Sequence, residues 1–96
     1  MAEVVVAPTA VAELESLIVS LSLPTDTKQR FARAVWALRE FPELGPSLQG
    51  RWQGYRFLLG PWRWMLIVYR YYEIDDRVAI VTVQDSRSHH SPTVER

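Results

Sequence analysis

Five basic side chains in the second half of the chain are of types that can hold a phosphate and move a proton: Arg56, Arg70, Arg87, His89 and His90. Guanidinium groups bind phosphate oxygens, and an imidazole has a pKa close to neutrality, which suits proton transfer. This set would serve phosphate chemistry, in which cations stabilise the developing charge while a base and an acid act on the reacting oxygens. The alternative is that the arginines are solvated or packed along a sheet, and that two adjacent histidines in a polar tail are simply exposed.

A metal or cofactor site finds little support in the residue types. The two histidines are adjacent, so their side chains diverge in extended backbone, and the nearest carboxylate is that of Asp85. The chain has no cysteine, which excludes a disulfide framework, a Cys-based zinc site and a thiol nucleophile. We therefore expect no metal and no cofactor.

Size and charge exclude two broad classes of protein. The chain has 96 residues, which fits one domain spanning residues 1–96 and excludes a two-domain enzyme. Eleven basic and 11 acidic residues balance, which excludes a strongly basic nucleic-acid binder. The stretch 1–27 nevertheless holds acids and no base, and 45–72 holds four arginines and no acid, so any anion site should lie in the second half.

The longest apolar stretch without a charge runs from Ser16 to Thr25, which is too short to span a membrane. No basic segment precedes it, as one would in a signal peptide. We expect a soluble, cytoplasmic protein with no membrane contact.

The first half of the sequence predicts a strand and two helices. Glu3 to Ala7 is a β-branched run ended by a proline, typical of an edge strand. Thr9 is placed to cap a helix, whose apolar residues recur at helical spacing: Val11, Leu14, Leu17, Ile18 and Leu21. After a break at 23–26, a second helix carries Phe31, Val35 and Leu38 on one face. The two helices should form an antiparallel hairpin.

The second half predicts three strands, since aromatic and β-branched residues dominate from Gly50 onward. They run over 51–59, 62–73 and 77–84, and the short links between them favour an antiparallel meander. We therefore predict an α+β fold: a two-layer sandwich of an N-terminal strand, a two-helix hairpin and a three-stranded antiparallel meander. Residues 86–96 are polar, and we expect them to form a flexible tail.

Strand alternation sorts the middle strand into two partly apolar faces. One face carries Trp64, Leu66, Val68, Arg70 and Tyr72. If the helices cover one face of the sheet, the other should expose an apolar and aromatic surface, which on a small protein usually marks a partner site.

The ordered motifs of the chain resemble the RelE/ParE superfamily of toxins from bacterial type II toxin–antitoxin systems. The resemblance rests on "ARAVWALREFPELGPSLQGRWQGYRF" followed by "WRWMLIVYRYYEIDDRVAIVTVQDSR", which together cover most of the chain. Within them lie a helix ending in a Leu-x-x-Phe-Pro-x-x-Gly turn, an aromatic-Arg strand and a "LIVYRY" strand. The family has the same order of strands and helices that the periodicity predicts.

The resemblance implies a growth-inhibiting toxin that is neutralised by a cognate antitoxin chain. RelE-like members cut messenger RNA in the ribosome, whereas ParE-like members poison DNA gyrase, so the ribosome with its mRNA and gyrase are both candidate targets. Antitoxin contact is expected on the sheet: Trp62, Trp64, Leu66 and Tyr72.

The catalytic pattern of the nuclease branch is only partly present. Leu66 stands where RelE-like nucleases carry a key arginine, Arg56 matches one of two basic positions on the preceding strand, and Leu58 falls at the other. Arg87 lies near the family's last arginine, and the C-terminal tyrosine has no counterpart.

Three hypotheses follow. The first is a toxin silenced by an antitoxin, with its target undecided. The second is a ribosome-dependent endoribonuclease using Arg56, Arg70, Arg87 and His89 or His90. The third is a non-toxic binding module on the same fold.

Overall fold

The computed structural model describes residues 1–88, so His89, His90 and most of the predicted tail lie outside the described residues. Six main elements follow one another along the chain: β1 (Glu3–Val6), α1 (Pro8–Ser20), α2 (Thr27–Trp36), β2 (Arg56–Leu59), β3 (Met65–Tyr72) and β4 (Arg77–Asp85). Short 3₁₀ turns occupy Ala37–Arg39 and Gly50–Trp52. Within the described residues, no helix is both long enough and apolar enough to cross a membrane.

The four strands form one mixed sheet in the order β1-β4-β3-β2. Strands β2, β3 and β4 are the predicted antiparallel meander, with Arg56 opposite Tyr69 and Met65 opposite Asp85. Strand β1 pairs in parallel with β4, so that Val4 lies opposite Val78. A parallel pair needs a long crossover connection, which the chain between β1 and β4, including both helices, supplies. The predicted α+β class and the edge position of β1 are confirmed, and the sheet as a whole is mixed.

The main core lies between the sheet and the helices. Leu14 of α1 and Phe31 and Val35 of α2 are buried in one cluster with side chains of β3. Those strand residues alternate, as a half-covered strand requires: Met65, Ile67 and Tyr69. Each large apolar side chain fully buried in this way contributes roughly 1.5–3 kcal/mol. This layer fixes the position of β3, the strand that carries three of the predicted site residues: Leu66, Arg70 and Tyr72.

Two strand predictions were too long, and one helix cap was misplaced. The strand predicted over 51–59 begins at Arg56, because the preceding segment forms a 3₁₀ turn and Gly54 has a φ of +94°. The strand predicted over 62–73 begins at Met65, since the chain is still turning at 62–64. Helix α1 begins at Pro8 with Ala7 as its N-cap, so Thr9 does not cap it. Proline fits the first helical position because its missing N–H has no partner there.

The apolar middle of the second sheet face is covered, contrary to the expectation of an exposed apolar surface. Leu66 and Val68 are fully buried there with Leu48. Trp52 and Tyr55 pack on the same cluster, and their rings meet edge to face at 5.6 Å between centroids. The segment between α2 and β2 folds over this part of the face and removes Leu66 and Val68 from solvent, while Arg70 and Tyr72 of the same face stay exposed.

Candidate functional site

Arg56 holds a loop in place. Its Nη1 donates to the carbonyl oxygens of Gly45, at 2.8 Å, and of Glu43, at 3.3 Å. The Gly45 N–H in turn donates to the Tyr69 hydroxyl at 2.9 Å. Burial raises the pKa of Tyr69 above its ordinary value, although the bond from Gly45 and the charge of Arg56 oppose the shift. The Nη1 donors of Arg56 are therefore committed to backbone oxygens of this loop.

Arg70 lies on the face of β3 opposite to Tyr69, with its side chain exposed. Its guanidinium carbon is 5.4 Å from the ring centroid of Tyr55 and 5.3 Å from that of Tyr72. Such contacts are worth roughly 0.5–1 kcal/mol each at exposed sites. No carboxylate among residues 1–88 forms an ion pair with Arg70, so its positive charge is available to an anion.

Arg87 forms a two-pronged ion pair at the end of β4. Its Nε and Nη2 donate to the two carboxylate oxygens of Asp85 at 2.8 and 2.7 Å. The guanidinium keeps the pKa of the Asp85 carboxyl below its usual value. The same guanidinium lies 4.9 Å from the ring centroid of Trp64.

The three arginines do not converge on one phosphate. Arg56 lies opposite Tyr69 and Asp85 lies opposite Met65, four residues apart on β3, which corresponds to roughly 13 Å along the strand. Arg56 and Arg70 contact different faces of the sheet. The proposed proton carriers His89 and His90 lie outside the described residues. Within residues 1–88, the predicted catalytic arginines therefore form three separate sites.

The residues predicted to contact the antitoxin do not form one surface either. Trp62 and Trp64 stack with their ring planes 9° apart and their centroids 6.0 Å apart, and both pack on the helix-side core. Arg30 lies over the outer side of this pair, 5.8 Å from the Trp62 centroid. Tyr72 is partly exposed beside Arg70, and Leu66 is 0% exposed. The two tryptophans and Tyr72 thus reach the surface at separate places, while Leu66 belongs to the core.

An apolar groove that the sequence did not predict lies along β1 and α2. It has a volume of about 590 Å³. Its lining is mostly apolar: Met1, Ala2, Val4, Val6, Phe31, Ala32, Val35 and Trp36, with Glu3 and Arg39 as the charged members. Volumes of 300–1,000 Å³ are usual for sites that bind ligands or partner side chains.

Trp36 forms the exposed rim of this groove. Its side chain is 62% exposed, and the Arg39 guanidinium lies 4.2 Å from its ring centroid. No carboxylate within residues 1–88 forms an ion pair with Arg39. The sequence carried a signal: Trp36 follows Val35 directly and therefore lies off the buried stripe of α2.

The backbone of β1 is also open on its outer side. The N–H groups of Glu3 and Ala7 donate to β4 or the turn before it, at 3.0 and 2.9 Å. Alternation directs the N–H groups of Val4 and Val6 to the other side, and within residues 1–88 no backbone acceptor outside the sheet reaches them. An exposed edge next to an apolar groove is a usual place for a partner segment to bind.

Comparison with known proteins shows the fold alone. No family model and no curated protein sequence matches the chain. Among solved structures, the chain is similar to the solution structure of HP0894, a conserved hypothetical protein from Helicobacter pylori. The TM-score is 0.58 at 18% sequence identity, covering 92% of this chain and 98% of the other. This likeness shows that the two chains share a fold.

Proposed function

We propose that this protein is the toxin of a bacterial type II toxin–antitoxin pair, which arrests growth until an antitoxin chain covers its apolar groove. The observation that carries the proposal is the groove along β1 and α2, with the exposed Trp36 at its rim. The RelE-like fold and the family motifs of the sequence support it.

An apolar groove of this kind is costly to leave in contact with water, and a partner that fills it gains the free energy of burial. The open edge of β1 adds backbone donors and acceptors that a partner segment can use. A regulator that binds here would be held without contacting the predicted catalytic side chains. The groove would then anchor the antitoxin, and the rest of the antitoxin chain would keep the target away from the toxin.

The decisive experiment is induced expression of the chain in bacteria, with and without the product of the small reading frame beside its gene. We expect arrest when the chain is expressed alone and growth when the two are expressed together. Normal growth in both cases would refute the toxin proposal and favour the binding module.

The target is identified in the same cultures. New messenger RNA ends in phase with codons would indicate ribosome-dependent cleavage, although Arg56, Arg70 and Arg87 lie apart. Intact RNA together with inhibited supercoiling by purified gyrase would indicate the ParE-like activity. Both measurements are made on the full chain, because His89 and His90 belong to the nuclease hypothesis.

A substitution at the rim of the groove tests where the antitoxin binds. Trp36→Ala should weaken antitoxin binding by about 2 kcal/mol, or roughly thirtyfold in Kd, as is usual for a tryptophan that a partner buries. Growth arrest by the variant alone should be unchanged. The matched control is Val19→Ala, which removes another exposed apolar side chain at the end of α1. Equal binding by wild type and Trp36→Ala would place the antitoxin elsewhere.

A further inference from the structure

Negative charge is concentrated at one end of the molecule. Two short segments, 40–44 and 73–76, contain five carboxylates and no basic residue: Glu40, Glu43, Glu73, Asp75 and Asp76. We call these two segments the acidic end. The rest of residues 1–88 holds five acidic and ten basic residues, so a net charge of −5 at the acidic end faces +5 over the remainder. The balanced charge of the whole chain conceals this separation.

The two segments are neighbours in space although they are about 30 residues apart in sequence. The Ala2 N–H donates to the Arg39 carbonyl at 2.8 Å, immediately before the first segment begins. The Glu3 N–H donates to the Asp76 carbonyl at 3.0 Å, at the end of the second segment. Ala2 and Glu3 are consecutive, so both segments are joined to the start of β1. The carbonyl groups of Arg39 and Asp76 lie on either side of that strand, two strand spacings or roughly 10 Å apart. That separation is close to the Debye length at physiological salt, about 8 Å, so one partner segment can interact with the charges of both segments.

Tyr71 is bonded to the second of these segments. Its hydroxyl donates to the Asp76 Oδ1 at 2.8 Å. The pKa of Tyr71 is raised, first by that hydrogen bond, then by desolvation, and further by the charges of Asp76, Glu73 and Glu43. Carboxylates from both segments therefore act on one side chain. Compensation by positive charge is partial. Arg39 and Arg77 directly flank the two segments in the sequence, and Arg56 reaches Glu43 at 3.8 Å, but no ion pair within residues 1–88 involves the other four carboxylates.

The acidic end also exposes large apolar side chains. Ile74 is 100% exposed, Phe41 59% and Leu44 54%. These three account for a third of the nine residues in the two segments. Carboxylates repel the phosphates of nucleic acids and of anionic lipids. The acidic end is therefore better suited to bind another protein.

We propose that the acidic end docks onto a basic protein segment whose apolar side chains contact Phe41, Leu44 and Ile74. Charge complementarity brings the partner in, and the apolar contacts hold it. The inference rests on the proposed function in one respect: it assigns this surface to the target whose inhibition arrests growth. The target is then recognised through a Lys- or Arg-rich protein segment, at a surface distinct from the apolar groove.

The test uses the full chain and two labelled peptides, one of alternating lysine and leucine and the other with glutamate in place of lysine. Fluorescence anisotropy should show binding of the lysine peptide only, weakening as salt is raised. Ile74→Ser and Asp75→Lys should each weaken binding by about fivefold. Neither substitution removes a buried group, so both variants should fold normally.

Matched controls separate this surface from general effects of charge and hydrophobicity. Val19→Ser removes an exposed apolar side chain from the end of α1, and Glu15→Lys reverses an exposed acid on the same helix. Both should bind the lysine peptide like the wild type. Equal binding of both peptides, no binding of either, or equal losses in the controls would overturn the proposal. Sedimentation could also overturn the proposal. If Ile74→Ser abolished self-association and left peptide binding intact, the partner that covers the acidic end would be a second copy of this chain.

The growth assay keeps this inference separate from the proposed function. If the wild type arrests growth, Ile74→Ser should lose arrest while retaining antitoxin binding, and unchanged arrest would refute the target assignment. If the wild type causes no arrest, the proposed function fails, and the peptide measurement still decides whether the acidic end binds basic protein segments.

Discussion

Replacing Gly45 with alanine should destabilise the protein by about 2–4 kcal/mol. The backbone of Gly45 lies so close to β2 that an added Cβ would overlap the Phe57 carbonyl oxygen, and it would lie 3.1 Å from the Tyr69 hydroxyl. Overpacking of this kind costs roughly 1–3 kcal/mol. Moving the backbone away would weaken the hydrogen bonds that join Gly45 to Tyr69 and Arg56, each worth about 1 kcal/mol.

The assay is urea and thermal unfolding of Gly45→Ala followed by circular dichroism. For a domain of this size, the expected loss corresponds to a fall in Tm of roughly 10–20 °C. The matched control is Gly50→Ala, because Gly50 has a φ of +65° and nothing within 4 Å of the added methyl. That control measures backbone strain without steric overlap and should cost about 1 kcal/mol.

A Gly45→Ala variant no less stable than Gly50→Ala would refute the reasoning, because it would show that the loop moves without cost. The result also bears on the acidic end. The loop that carries Phe41 and Leu44 is held at its far side by Gly45, so a shifted backbone should weaken binding of the lysine peptide as well as stability.

Three further predictions concern buried or paired side chains. The pKa of Tyr69 is raised on folding, so its contribution to stability is complete below about pH 10 and is lost as pH rises through the folded value. Urea unfolding between neutral and alkaline pH should therefore show a smaller loss of stability in Tyr69→Phe than in the wild type. The pKa of Asp85 is lowered by Arg87, so this pair contributes above the ordinary carboxyl pKa and is lost on acidification; NMR titration should show the Asp85 pKa rising in Arg87→Ala. Leu66→Ala should lower the free energy of unfolding by about 2–5 kcal/mol, because Leu66 is fully buried. A loss near zero would indicate that Leu66 is exposed and available to a partner.

The sequence by itself determined the class of fold and the order of its elements. Periodicity is local, so the stripe through Phe31 and Val35 identified α2 and the β-branched runs identified β1, β3 and β4. The proline after β1 and the short links between later strands placed β1 at an edge and the others in a meander. Strand ends were less well predicted, because Trp62 and Trp64 have strand propensity but lie in a turn.

Tertiary structure alone decided how the functional surfaces are assembled. Alternation along β3 placed Leu66 on a face that was expected to be open to solvent. In the structure, Leu48 and the segment after it cover Leu66, although they are distant from it in the sequence. The parallel pairing of β1 with β4 follows from the crossover and left the edge and groove beside Trp36. The acidic end forms because Ala2 and Glu3 join two loops that are far apart in the chain. These surfaces depend on long-range backbone hydrogen bonds, and local patterns of residue type carry no information about such bonds.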